Sequence, residues 1–254
     1  MSADPIRTII AGNWKMNKTA AQTAAFFEAF LPRVPDLPAQ VEIVVAPPFT
    51  ALARACRLLR ETRVHLGAQT MHWELSGAFT GEIGAPMLRE FEVTHVILGH
   101  SERREFCAEA DFTVNLKVKT ALAQGLTPIV AVGETLLERD AGITDERVVS
   151  QIRAAFDGIA AEELARVAVA YEPIWAIGTR RSCDPAEAGR VCGTIRAALP
   201  GLARAPILYG GSMNAANANA YVAQTDINGG LVGGASLDPA TFAALIANAG
   251  GSPL

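Results

Sequence analysis

Eight short apolar runs, rich in β-branched residues, recur along the chain and limit its fold more than any other feature. They fall at 8–11, 41–45, 64–66, 95–98, 128–132, 167–171, 206–209, and 227 with 231–232. The runs are near-continuous instead of alternating, the pattern of strands buried on both faces of a parallel sheet. Helical patterns lie between them at 19–31, 50–61, 111–124, 145–156, 184–199, 214–220 and 238–247. Thr19 suits an N-cap and Pro32 a stop. Gly125 closes the 111–124 helix. Asp184-Pro185 and Asp238-Pro239 each pair a capping side chain with proline at the first helical position. Strand–helix units with no linker between them predict one closed α/β barrel. An open doubly wound sheet is the alternative. It usually carries a glycine fingerprint after its first strand, and Gly12-Asn13-Trp14-Lys15 is not that fingerprint.

Composition narrows the function. The chain has 254 residues, enough for one large core or two small ones, and no domain boundary is visible. With 22 Lys plus Arg against 26 Asp plus Glu, no basic surplus exists to neutralise a nucleic-acid backbone. Apolar runs reach only about ten residues, against about 20 for a membrane span. Residues 1–7 lack a basic stretch followed by an apolar one, so no secretory signal is expected. An apolar content of 50% excludes disorder. Cys56, Cys107, Cys183 and Cys192 lie far apart with no C-x-x-C pair, and read as reduced thiols of a cytoplasmic protein. Lysine is scarce (Lys15, Lys18, Lys117 and Lys119), so each one draws notice.

A parallel barrel gathers the C-terminal ends of its strands at one mouth, where its active site lies. The first run leads into Asn13 and Lys15, the fourth into Gly99-His100-Ser101-Glu102-Arg103-Arg104, and the sixth into Glu172-Pro173. The seventh leads into Gly210-Gly211-Ser212 and the eighth into Gly233-Gly234-Ala235-Ser236. An amine, an imidazole and a carboxylate beside two glycine pairs form a coherent chemical set. Plainer readings stand beside it: a solvated loop lysine, a satisfied core histidine, a carboxylate paired with an arginine. The polar neighbours Glu102, Arg103 and Arg104 favour a wet mouth for His100. Glu172 follows an apolar strand and precedes the fixed turn of Pro173, so enclosure can raise its pKa for general-base work. Gly-Gly turns let backbone N–H groups approach a phosphate, whose usual place in such barrels is after strands seven and eight. His100-x-Glu102 is half of a zinc-deaminase signature without its Pro-Cys-x-x-Cys partner. His65 and His72 lack metal-ligand spacing, and no metal is expected.

Six segments together resemble the triosephosphate isomerase family. They are 12–17 (GNWKMN), 77–82 (GAFTGE), 98–104 (LGHSERR), 170–179 (AYEPIWAIGT), 209–212 (YGGS) and 231–237 (LVGGASL). They occur in order and cover essentially the whole chain. The resemblance implies a single (β/α)8 TIM barrel. It implies an aldose–ketose isomerase of glycolysis and gluconeogenesis that interconverts dihydroxyacetone phosphate and D-glyceraldehyde 3-phosphate through an enediolate, with no cofactor or metal. It makes Glu172 the base, His100 a neutral imidazole donor to the carbonyl oxygens, and Lys15 the cation. Asn13 orients Lys15 and donates towards the substrate. Ser101 is a neighbour of Glu172, and Glu102 an acid near Lys15. Gly178, Ser212, Gly233 and Gly234 form the phosphate cradle.

The same resemblance makes residues 173–183 a mobile lid. It makes residues 69–81 a loop that inserts into the second subunit of a homodimer, with Thr80 reaching Asn13 and Glu82 reaching Arg103. From its residues alone, 69–81 is an exposed apolar loop (Met71, Trp73, Leu75, Phe79) that needs a cover, or an Ω-loop packed on its own barrel. The lid departs from the family's usual Gly-Lys-Thr-Ala: Arg180-Arg181-Ser182-Cys183 follows Gly178-Thr179. That change replaces a permissive glycine at the lid tip. Asp238 stands where the family often has lysine, and suits an N-cap. Two rival functions remain: an isomerase of another short sugar phosphate, such as a tetrulose phosphate, and a catalytically silent phosphate-binding barrel. Lys15, His100 and Glu172 together weigh against the silent barrel. The expected partners are a small phosphorylated substrate and a second copy of the chain, without membrane or nucleic acid.

Overall fold

The alternating signals resolve into strands and helices in a computed structural model that describes residues 5–178 and 182–251. Thr179, Arg180 and Arg181 of the expected lid lie outside the described residues. The strands are β1 (Thr8–Asn13), β2 (Val41–Ala46), β3 (Val64–Ala68), β4 (His95–Leu98), β5 (Thr127–Val132), β6 (Ala168–Tyr171), β7 (Ile207–Tyr209) and β8 (Gly229–Val232). All pairings are parallel, in chain order, and β8 closes on β1. The closed barrel, not the open sheet, is the fold. Every strand therefore ends at the same mouth.

The helices are α1 (Ala20–Phe30), α2 (Leu52–Leu59), α3 (Ala85–Glu90), α4 (Ser101–Phe106), α5 (Asp111–Ala123), α6 (Leu136–Asp140), α7 (Thr144–Ala155), α8 (Pro185–Ala197), α9 (Ala218–Val222) and α10 (Pro239–Gly250). Thr19 caps α1 in a capping box with Gln22, and Asp184 and Asp238 cap α8 and α10. Sequence patterns do not announce α3, α4 and α6. Each has only five or six residues, too few to show a helical period. The predicted 214–220 helix shrinks to α9. Asn214 and Asn217 instead bond local main-chain amides (Asn214 N–H to Asn217 Oδ1, 2.8 Å; Ala216 N–H to Asn214 Oδ1, 2.9 Å) and build a turn.

Side chains alternate across each strand. One set fills the barrel interior: Ile9, Ala11, Val44, Ala46, Ile97, Ile129, Ala131, Ala168, Ala170, Leu208 and Leu231. The other set, including Ile10, Ile43, Val45, Val96 and Leu98, packs beneath the helices. The barrel is thus a packed core with work possible only at its ends. At the floor, by the strand N-termini, Arg7 Nη1 donates to Glu42 Oε1 (2.9 Å). His95 Nε2 lies 3.2 Å from Glu42 Oε2, within ion-pair range though off-line for a hydrogen bond. The His65 ring stands 5.5 Å from that of His95.

The 69–81 loop divides between the two readings of its residues, the exposed apolar loop and the loop packed on its own barrel. Met71 is wholly buried and His72 nearly so, while Leu75 and Phe79 remain about two-fifths exposed. Its first residues join the chain's own core and its tip does not. No helix among the described residues is long and apolar enough to cross a membrane.

Candidate active site

β1 ends at Asn13, and two residues later Lys15 takes a φ of 52°. That left-handed backbone is disfavoured for lysine by about 1–3 kcal/mol and persists only where neighbours enforce it. Several do. The Lys15 N–H donates to Asn13 Oδ1 (3.0 Å), and the Gln69 amide donates to the Lys15 carbonyl (2.8 Å) and the Ala46 carbonyl (2.9 Å). Lys15 Nζ meets Glu102 Oε1 at 2.5 Å. Trp14, buried between them, donates Nε1–H to the Ser236 carbonyl (3.1 Å), and Ser236 Oγ donates to the Gly233 carbonyl (2.6 Å). The loops after β1 and β8 are therefore tied into one unit.

β4 turns at Gly99, and His100 caps α4. Its Nδ1 accepts the Glu102 N–H (3.2 Å). A ring nitrogen that accepts carries no proton, so this network assigns the imidazole proton to Nε2. Nε2 faces Glu172 Oε1 at 3.0 Å. The other carboxylate oxygen, Oε2, accepts the Ser101 main-chain N–H at 2.9 Å. Ser101 thus meets Glu172 through its backbone.

Glu172 does not have the raised pKa expected from enclosure. Burial pushes it up, but the His100 contact, the Ser101 N–H and Lys15 prevail and hold the carboxyl below its ordinary range. His100 shifts the other way. Burial favours its neutral form, but the Glu172 carboxylate against Nε2 reverses this and raises the pKa. Direct contact between the two groups, which no spacing in the sequence reveals, decides both directions.

Asn13, Lys15, His100, Glu172, Gly178, Ser212, Gly233 and Gly234 all line one cavity of about 470 Å³. The two glycine pairs differ. A Cβ on Gly210 would lie 2.8 Å from Glu172 Cγ, so a side chain there would displace the carboxylate. Gly234 has nothing within 4 Å of such an atom, and Gly233 only Lys15 at ordinary contact distance. Side chains there would intrude into the cavity itself. Glu102 and Arg103 line a neighbouring cavity of about 130 Å³ with Asn13, Lys15 and Gln69. Thr80 and Glu82 are exposed and line neither cavity. Arg103 Nε already donates to Glu109 Oε2 (2.6 Å) within the chain.

Three supporting groups escape the sequence reading. Gln69 follows β3 directly and Glu134 stands two residues after β5, so the strand-end rule applied to those strands finds both. Glu134 is wholly buried, and its Oε1 accepts from Tyr171 O–H (3.1 Å) and Trp175 Nε1–H (2.7 Å). Burial raises its pKa over the opposing pull of these donors. Glu109 accepts the Gly99 N–H (2.7 Å) and Lys117 Nζ–H (2.7 Å), which fastens the base of the His100 turn. The scarcity of lysine marks Lys117 in the sequence but names no partner for it.

The family model described as triosephosphate isomerase matches residues 8–249. The chain is 47% identical over 240 residues to a triosephosphate isomerase of Synechocystis sp., covering 94% of this chain and 98% of that protein. It is 49% identical over 247 residues to one of Symbiobacterium thermophilum, covering 95% and 96%.

Proposed function

The chain belongs to the triosephosphate isomerase family, an aldose–ketose isomerase, and from that premise we propose how its cavity interconverts dihydroxyacetone phosphate and D-glyceraldehyde 3-phosphate. Glu172 takes a proton from the carbon beside the substrate carbonyl. The C–H electron pair becomes the enediolate double bond, and the carbonyl π pair moves to oxygen. The same carboxyl returns the proton to the neighbouring carbon. His100 donates Nε2–H to the two oxygens in turn. Its raised pKa comes from the carboxylate on Nε2, whereas the N-terminus of α4, acting on Nδ1, favours the neutral ring. Once a substrate oxygen replaces the carboxylate at Nε2, the neutral donor remains. This carboxylate–imidazole pairing is the one for which the family itself is the type case. Lys15, held by Asn13 and Glu102, offsets charge developing on the enediolate. Backbone N–H groups of Gly178, Ser212, Gly233 and Gly234 receive the phosphate.

The observation that carries this reading is the shared cavity: base, imidazole and cation face the glycine turns across one small volume. Residues 173–183 act as its lid and exclude water from the enediolate. The active unit is a homodimer. The exposed Leu75 and Phe79, with Met16 at 96% exposure beside the first catalytic loop, support a partner's loop entering the smaller cavity. Thr80 then reaches Asn13, and Glu82 reaches Arg103, across the interface. The protein works in the cytoplasm on soluble sugar phosphates.

A coupled assay for glyceraldehyde 3-phosphate formed from dihydroxyacetone phosphate tests the activity. Turnover is expected with no added cofactor or metal. Turnover of a tetrulose phosphate in place of the triose contradicts the substrate assignment. Sedimentation of the active protein should give a dimer, and a fully active monomer contradicts the shared site.

A further inference from the structure

The scarcity of lysine singles out Lys18 as well, and the site as described leaves it without a task. Like Lys15 it holds a left-handed backbone, with a φ of 73°. Lysine takes that conformation only where neighbours enforce it. Asn17 Nδ2–H donates to the Trp14 carbonyl at 2.7 Å and folds the loop back on itself. The Lys18 ammonium then lies 5.4 Å from the centre of the Trp14 ring and 5.1 Å from that of Phe26, two rings packed edge to face. Both are within range of a cation–π contact. Trp14 sits in the chain between Asn13 and Lys15, and its Nε1–H donates to the Ser236 carbonyl. The packing beneath leaves no slack: a Cβ on Gly12 would lie 2.9 Å from Ser236 Cβ. On the outer side, Lys18, Gln22, Phe26 and Asp238 border an open groove of about 560 Å³. Thr241, through its N–H and hydroxyl, holds the Asp238 carboxyl below its ordinary range, and the Lys18 charge adds to this.

We propose that Lys18 is a positioning residue for the isomerase: its ammonium, seated over Trp14 and Phe26 and facing Asp238, clamps the Trp14 ring and so holds Lys15 and the Gly233 turn in register for the phosphate. This rests on the reading of Lys15 and the Gly233 turn as a grip on a triose phosphate. Lys18 does not line the catalytic cavity, whereas Trp14 does, so Lys18 acts through that ring. A displaced ring loosens two groups at once. One is Lys15, next in the chain; the other is Ser236, whose hydroxyl donates to the Gly233 carbonyl. Both groups hold the ligand's charge in that reading, so their loosening shows in affinity more than in proton transfer at Glu172. A cation near the mouth also attracts an anionic substrate through space, and an anion repels it. Asp238 separates the two effects. If its carboxylate keeps the ammonium over the rings, removing it weakens binding; if only the field counts, removing it strengthens binding.

Lys18→Met keeps an unbranched side chain on the same backbone and removes the ammonium. Asp238→Asn keeps a helix cap and removes the charge. The experiment measures kcat, KM and competitive inhibition by inorganic phosphate for both, with Lys18→Arg as the rescue and thermal unfolding on the same preparations. In Lys18→Met, KM and the phosphate inhibition constant are expected to rise together about two- to fivefold, the factor a part-exposed cation–ring contact is worth, with kcat within about twofold of the parent. Lys18→Arg should return both constants to the parent's, and Asp238→Asn should raise both by less than Lys18→Met does. Unchanged constants in Lys18→Met, or a fall in Asp238→Asn, overturn the proposal. Lys15→Met tells its failure from that of the site reading. Full activity in Lys15→Met overturns the site reading and this proposal with it, whereas its loss beside an unaffected Lys18→Met strikes this proposal alone.

Discussion

The mouth and the floor of the barrel both gather charge, and they hold it differently. At the mouth, Lys15, His100 and Glu172 border an open volume, and the Lys15–Glu102 pair stays part-exposed at 28% and 42%. The Lys15 backbone is strained to present its amine there. At the floor, Arg7, Glu42, His65 and His95 close on one another between strand ends. Burial opposes the Glu42 charge, but the His95 contact and then Arg7 hold its pKa at about 2. One fold therefore carries two kinds of buried charge. The floor set serves cohesion, and in the proposed function the mouth set serves a ligand that is not part of the chain.

That contrast breaks if mutations at the two ends have the same consequences. The largest expected effect is at the mouth. Lys15→Met should lower kcat/KM by about 10²–10³, the range for losing one preorganised electrostatic donor. Its thermal unfolding should stay near the parent's, because Glu102 is exposed enough to keep its hydration. A large loss of stability with the activity of the folded fraction intact would make Lys15 a floor-like residue.

A smaller effect of the opposite kind is expected at the floor. A carboxyl whose pKa falls from 4.5 to about 2 contributes on the order of 3 kcal/mol at neutral pH. Glu42→Gln should lower the unfolding free energy by about that amount, with turnover per folded molecule unchanged. The sign in pH follows from the depressed folded pKa. The contribution is complete above the unfolded value and is lost as pH falls from 4.5 towards 2. The stability gap between parent and variant should therefore narrow across that window in denaturant titrations. A gap independent of pH contradicts the ionic account of the floor.

How much of this the sequence discloses also differs between regions. The strands are legible because burial on both faces leaves continuous apolar runs, and β4 coincides with its run residue for residue. The site is legible where a polar residue follows such a run directly, as Glu172 does, or after one glycine, as His100 does, and the family resemblance assigns the roles. What is not legible depends on contacts distant in sequence. The Gln69 amide that enforces the Lys15 backbone lies 54 positions away. The Ser101 amide on Glu172 is 71 positions away, and the pKa directions of the His100–Glu172 pair follow from such a contact. Short helices such as α4 carry too little period to be seen, although α4 supplies the amides that hold both His100 and Glu172.

In the proposed function the mouth acts through a carboxylate placed to within about an ångström. Glu172→Asp withdraws it by one methylene and leaves the phosphate turns untouched. Steady-state isomerisation of glyceraldehyde 3-phosphate by this variant should show kcat about a hundredfold below the parent, the penalty for a misplacement of about 1 Å. KM should stay within a few-fold, and the thermal midpoint should be retained. A variant turning over within a few-fold of the parent would contradict the assignment of Glu172 as the base.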